Sequence, residues 1–215
     1  MNIKTIAVVL LGSLMLFSCG FWGVRGNGNL TEETRKIENF SKIDAAGAFS
    51  IKIKVGEDPS LKISAEENLM HLIRTDVRRN TLIIDTKKNI SPRKEIRIYI
   101  TTPELNSIDC SGANNVTAYN IDSDNFDVDL SGAGSIKLSG DVNRLKAEIS
   151  GAGNISAKHL KANRVAISVS GAASADVYAA EYLDASVSGV GSIDYYGDPK
   201  KTNTRVSGVG SITRQ

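Results

Sequence analysis

The chain has 215 residues, with 26 Lys and Arg against 24 Asp and Glu, a formal net charge of +2 at pH 7. That near-neutral balance excludes an electrostatic case for nucleic-acid binding. With Cys19 at the end of a leader and Cys110 the one other cysteine, no intramolecular disulfide is expected in the mature chain.

The N-terminus reads as a targeting segment. Lys4 supplies a positive charge, and Thr5 to Phe17 is an apolar run of 13 residues, too short to span a bilayer. The run ends in Leu16-Phe17-Ser18-Cys19, which resembles a bacterial lipobox. The expectation is a signal peptide over residues 1–18 and a diacylglycerol on the Cys19 thiol, with the membrane as partner through that anchor. Residues 19–36 follow as a tether. Gly20, Gly23, Gly26 and Gly28 lie there among Asn27 and Asn29 without apolar periodicity, so a flexible segment is expected. Residues 37–215, about 180 residues, fit one domain.

Between the first and second copies of the repeat described below lies an insertion, about residues 54–105. It carries the alternating runs Ile51 to Val55, Leu61 to Ile63, Leu82 to Ile84 and Ile96 to Ile100, all read as strands. Ser64 and Glu67 suggest a capping box, opening a helix with Leu69, Leu72, Ile73 and Val77 on one face. An open solenoid end exposes core and unpaired strand edges, so the insertion is expected to cap one end. His71 and His159 lack companions at metal-ligand spacing, and no metal or cofactor is expected.

From residue 111 onward an internal repeat governs the chain. A Ser-Gly-Ala/Val-Gly motif, with variants, places its serine at Ser111, Ser131, Ser150, Ser170, Ser188 and Ser207, at spacings of 20, 19, 20, 18 and 19 residues. An earlier copy is Ala46-Gly47-Ala48. The residue before the serine is Ala45, Cys110, Leu130, Ile149, Val169, Val187 or Val206, and polar residues alternate with such apolar columns. Period-2 alternation on both sides of a glycine corner means strand, turn, strand. A repeat of this length cannot bury its apolar side alone, so the copies must stack. The expected fold is all-β, a right-handed parallel β-helix with a small α+β capping insertion. Cys110 then reads as a buried small hydrophobe. The column Ser50, Asn115, Ser135, Asn154, Ser174, Ser192 and Ser211 offers a polar stripe for a ligand or, as the favoured reading, a ladder serving turn backbone.

Tyr178 and Tyr196 each lie eight residues after a repeat serine. They are expected as neighbours on adjacent coils, one strand spacing of about 4.8 Å apart, serving either as a contact for a glycan or protein ligand or as rings packed locally over the turn. The last coil, Val206 to Ile212, has no cap of its own in the pattern, and a homo-oligomer through that coil is expected.

The segment Ile63-Ser64-Ala65-Glu66-Glu67-Asn68-Leu69, with Thr81-Leu82-Ile83-Ile84 and then the Ser-Gly-Ala-Gly blocks, resembles the putative auto-transporter adhesin, head GIN domain family from about Ile37 to Ile212. The resemblance implies an exported β-helical domain of Bacteroidetes-like bacteria, and it brings no catalytic residues. Together with the leader it points to the cell envelope, as an outer-membrane lipoprotein.

Three functions stand side by side: a non-catalytic adhesin or binding module, a self-assembling structural envelope protein, and a polysaccharide-cleaving enzyme. The enzyme would need clustered carboxylates. Asp127 and Asp129 share one outward strand, but the next coils carry Lys146 and Glu148, then Ala166 and Ser168, so the chain is read as non-catalytic.

Overall fold

The computed structural model describes residues 23–215. Its strands are β1 (Val24–Arg25), β2 (Leu30–Arg35), β3 (Lys42–Gly47), β4 (Ser50–Val55), β5 (Ser60–Glu66), β6 (Ile73–Arg78), β7 (Thr81–Thr86), β8 (Ile90–Ser91), β9 (Arg97–Thr102), β10 (Ser107–Gly112), β11 (Asn115–Gly132), β12 (Ser135–Gly151), β13 (Asn154–Gly171), β14 (Ser174–Tyr196) and β15 (Lys201–Arg214), with one short helix, α1 (Glu67–Met70). The strands stack in the order β15-β14-β13-β12-β11-β10-β3-β7-β6. From β3 to β15 every pairing along this path is parallel, and the arrangement is a β-solenoid of about five turns.

The register is the repeat made physical. Cys110 pairs with Ala45 and Leu130, Leu130 with Ile149, Ile149 with Val169, Val169 with Val187, and Val187 with Val206. Ala45, Cys110, Leu130, Ile149, Val169 and Val187 are all buried. Outward residues alternate with them, so each strand contributes one apolar row to the interior and one polar row to water.

Gly112, Gly132, Gly151, Gly171, Gly189 and Gly208 form the corner, each at positive φ. A Cβ on Gly151 would stand 2.5 Å from the carbonyl oxygen of Gly132, and the other five meet the glycine below them equally closely. The corner therefore needs glycine twice over, for its backbone conformation and for the approach of the next coil. The amide after each glycine uses that closeness: Ala152 N donates to Gly132 O at 2.8 Å and Ala172 N to Gly151 O at 2.8 Å.

The insertion closes the N-terminal end as expected, but with strands. β7 extends the ladder parallel to β3, and β6 then pairs antiparallel with β7. On the other face, β4 pairs parallel with β9, followed by antiparallel β5 and then antiparallel β2. Arg35 of β2 ties the two faces together. Its guanidinium donates to Ile73 O at 2.7 Å, Thr75 Oγ1 at 2.9 Å and Met70 O at 3.1 Å.

Two expectations are corrected here. The helix through Val77 is one turn, Glu67–Met70, and its N-cap is Glu66, which makes no side-chain capping bond. Ser64 lies within β5, paired with Glu32 and Arg97, so there is no capping box. Ile73 and Val77 belong to β6, where the alternation Ile73, Thr75, Val77 and the partner β7 outweigh the helical period. The segment read as tether up to residue 36 carries β1 and β2. What draws it in is Glu66, a fully buried carboxylate that accepts from Gly28 N at 2.5 Å, Arg93 N at 2.8 Å and Lys94 N at 3.3 Å. Burial pushes the acid's pKa up, but those amides and the charge of Arg93 outweigh it and hold it below the usual carboxylate value.

Candidate functional site

The outward rows form the surface on which binding is possible. The row beside the interior column at Ala45 and Cys110 is acidic: Asp44 pairs with Asp109, Asp109 with Asp129, and Asp129 with Glu148. Burial, then the charges of Asp129 and Asp44, raise the pKa of Asp109. The acidic run ends at Glu148, which pairs with Ser168 in register and whose Oε1 lies 2.8 Å from Nζ of Lys146 in the neighbouring row. In the sequence, the acids at Asp127 and Asp129 are followed by Lys146 and Glu148, then Ala166 and Ser168. Asp44 and Asp109 carried the same signal, each standing directly before its interior residue. Cys110, behind this row, is buried, and burial followed by Asp109, Asp44 and Asp129 pushes its thiol up to about 12. It is an inert packing group at neutral pH.

The Ser/Asn column lies in register at the corner, Ser50 with Asn115, then Ser135, Asn154 and Ser174. The side chain that serves corner backbone is one position earlier. Buried Asn114 accepts from Phe49 N at 3.1 Å and donates to Ala45 O at 3.0 Å and Ser111 O at 2.7 Å. Asn114 stands where later coils have Gly134, Gly153 and Ala173, and it fills the step beside the bulky Phe49.

The second corner of the solenoid is less regular, with register shifts between Ala118 and Ile121 and between Lys137 and Ser139. Here the coils leave a groove of about 640 Å³. Asp122 and Asp124 line it on one coil, Asp141 and Asn143 on the next, Lys161 and Asn163 on the third, and Tyr178 on the fourth. Asn163 Nδ2 donates to Asn143 Oδ1 at 3.2 Å, while Ser123 Oγ donates to Asn106 Oδ1 at 2.7 Å. Tyr178 is half-buried and pairs with Lys161. Tyr196 is also half-buried, and the residue after it, Gly197, lies so close to Ala179 and the Tyr178 ring that a Cβ there would stand 2.3 Å from the Ala179 carbonyl oxygen and 3.4 Å from Tyr178 Cζ. Of the sequence-predicted site residues, Tyr178 alone lines this groove, and Cys19 lies outside the described residues. The acids and amides of the groove escaped the sequence reading because the register shifts displace them from the fixed period.

Carboxylates, primary amides, an amine and one aromatic face in a shallow groove suit a polyhydroxylated ligand. The polar groups accept from and donate to hydroxyls, and the ring packs against an apolar sugar face. Among the described residues no group of three or more His, Cys, Asp and Glu has metal-binding geometry. No helix among them is long and apolar enough to cross a membrane.

A family model described as putative auto-transporter adhesin, head GIN domain, matches residues 39–199. The crystal structure of a putative adhesin from Bacteroides fragilis is similar over 90% of this chain and 100% of that chain, at 30% identity and a TM-score of 0.76. A putative adhesin from Parabacteroides merdae shares the fold over 90% of this chain and 99% of that chain, at 18% identity and a TM-score of 0.54. One from Parabacteroides distasonis does so over 90% and 100%, at 19% identity and a TM-score of 0.51. A comparison with curated proteins finds no match.

Proposed function

This chain belongs to the putative auto-transporter adhesin, head GIN domain family, and on that premise we propose that it is a non-catalytic adhesin of the cell envelope that binds glycan. In this reading the lipid on Cys19 holds it at the outer membrane and the solenoid presents the Tyr178 groove. The observation that carries the ligand class is that groove, where Asp141, Asn143, Asn163 and Tyr178 converge from consecutive coils. Recognition spread over several coils is how repeat folds bind. A glycan array probed with the soluble domain tests it. Tyr178→Ala should weaken the strongest hit by about tenfold, the worth of a sugar-stacking ring. A hit indifferent to both Tyr178→Ala and Asn143→Ala removes the groove from the function.

A second reading, self-assembly into homo-oligomers, is favoured by one observation. Val206 and Val209 of β15 are 48% and 77% exposed, and the outer edge of β15 pairs with no strand among the described residues. Such edges invite pairing. Sedimentation at tens of micromolar decides it, and a clean monomer ends that reading.

A further inference from the structure

β1 and β8 form a two-stranded parallel sheet separate from the solenoid, with Val24 beside Ile90 and Arg25 beside Ser91. Around it stand Arg25, Lys87, Lys88, Arg93 and Lys94, all exposed. Among the described residues none of the five takes part in an ion pair; Lys87 Nζ donates to His71 O at 3.0 Å. The nearby acids are spoken for or distant from water. Glu95 pairs with Arg97 at 2.8 Å, Asp85 pairs with Arg74, and Glu66 is fully buried beneath the loop; Glu67 on α1 is the exposed exception. This is a concentrated patch of positive charge, of which only Arg93 acts on a carboxylate, the buried Glu66, on a chain whose net charge is only +2.

Its position matters as much as its charge. The N-terminal strand is one half of the patch. Glu66 fixes the two halves to one another by accepting from Gly28 on one side and from Arg93 and Lys94 on the other. Asn68 locks the same segment, donating to Arg25 O at 2.8 Å and accepting from Asn27 N at 2.9 Å. From Gly23 back to Cys19 the chain reaches at most about 14 Å. A membrane that holds Cys19 therefore lies within about 14 Å of Gly23 beside this patch, less than two screening lengths of about 8 Å at physiological salt.

We propose that the β1–β8 platform is a membrane-docking surface that binds anionic phospholipid headgroups. Its placement relative to Cys19 rests on the lipid-anchor reading, but its own binding does not need the acyl chain. Docked this way, the solenoid stands with its capped end at the bilayer and β15 farthest from it.

The test uses the chain from residue 19 onward carrying Cys19→Ser, which keeps every described residue and cannot be acylated. Its sedimentation with phosphatidylcholine vesicles is compared with that on vesicles containing about a third phosphatidylglycerol. Binding is expected on the anionic vesicles alone. It should fall at least about tenfold in Lys87→Glu/Lys88→Glu/Lys94→Glu, and likewise in high salt. Lys52→Glu/Lys54→Glu/Lys137→Glu, which reverses as many charges on the solenoid face, should bind as the parent does. Thermal melts confirm that both triple variants remain folded. Equal binding to both vesicle types, equal loss in both triple variants, or retention on a heparin-like polyanion with no vesicle binding each overturns the proposal. Fatty-acid labelling of the unsubstituted chain reads the anchor separately, so a failure of Cys19 acylation cannot be mistaken for a failure of the platform.

Discussion

The two ends of the solenoid solve one problem in different ways. At the N-terminal end the parallel ladder passes through β7 to antiparallel β6, and on the other face through β9 and β5 to β2. The outermost strand there, Leu-Thr-Glu-Glu-Thr-Arg in β2, is polar, and Arg35 staples it to β6 and α1. At the C-terminal end β15 continues the parallel pattern without change, and its Val206, on the column buried at Val169 and Val187, is 48% exposed. A column position buried in the middle of the stack is thus a surface position at its last rung. Burial here is a property of having a neighbour on both sides, as one-dimensional stacking requires.

The largest effect that tests this contrast is a charge placed at two rungs of one column. Val169→Asp puts an unpaired carboxylate where exposure is 0% and should cost about 4–5 kcal/mol or unfold the domain. Val206→Asp, on the same column at 48% exposure, should change stability by no more than about 0.5 kcal/mol. Chemical denaturation of the two variants reads both, and equal losses break the picture of an open last rung.

Next come the corner glycines. Gly151→Ala must place a methyl 2.5 Å from the Gly132 carbonyl, at φ +127 and beneath another coil, a change expected to cost about 2–4 kcal/mol. Gly208→Ala meets a similar contact of 2.4 Å, but only one side of its coil is packed. About half the cost is expected there, since the edge strand can shift. Matching costs would mean that β15 is as rigidly held as the interior.

At the capped end the sensitive group is Glu66. Its carboxyl is depressed in the folded state, so its contribution is present above the ordinary value of 4.5 and is lost as pH falls through the folded value. Glu66→Gln should therefore melt several degrees lower than the parent at pH 7, and the gap should narrow below about pH 4.5. A gap that stays constant with pH would assign the loss to packing instead of charge.

The smallest effect is dynamic. Amide exchange should be fastest in β15, whose outer edge is unpaired among the described residues, and slower in β6 and β2, although those also lie at the end of a sheet. Protection of β15 equal to that of β13 would reveal a cover on the edge, as the self-assembly reading requires.

The solenoid was legible before any coordinates because its signal is redundant. Each column appears in every copy, so the alignment of Ala45, Cys110, Leu130, Ile149, Val169, Val187 and Val206 in the sequence is the ladder itself. The insertion was read less well. Its strands were evident, but Ser64 and Glu67 imitated a cap, and Leu69, Leu72, Ile73 and Val77 imitated a helical face. The groove at the second corner was legible only at Tyr178, because register shifts at Ala118–Ile121 and Lys137–Ser139 take its acids and amides out of period.

The sequence by itself determined the repeat, the interior columns and the glycine corner, since periodicity and φ preference are local properties written into every coil. Only the tertiary structure decided where the glycine-rich N-terminal segment goes and which polar groups meet. Gly28, Glu66 and the Arg93-Lys94 pair are far apart in the chain and share no period. A buried carboxylate is tolerable only when amides from distant segments surround it, and no pattern along one strand announces that.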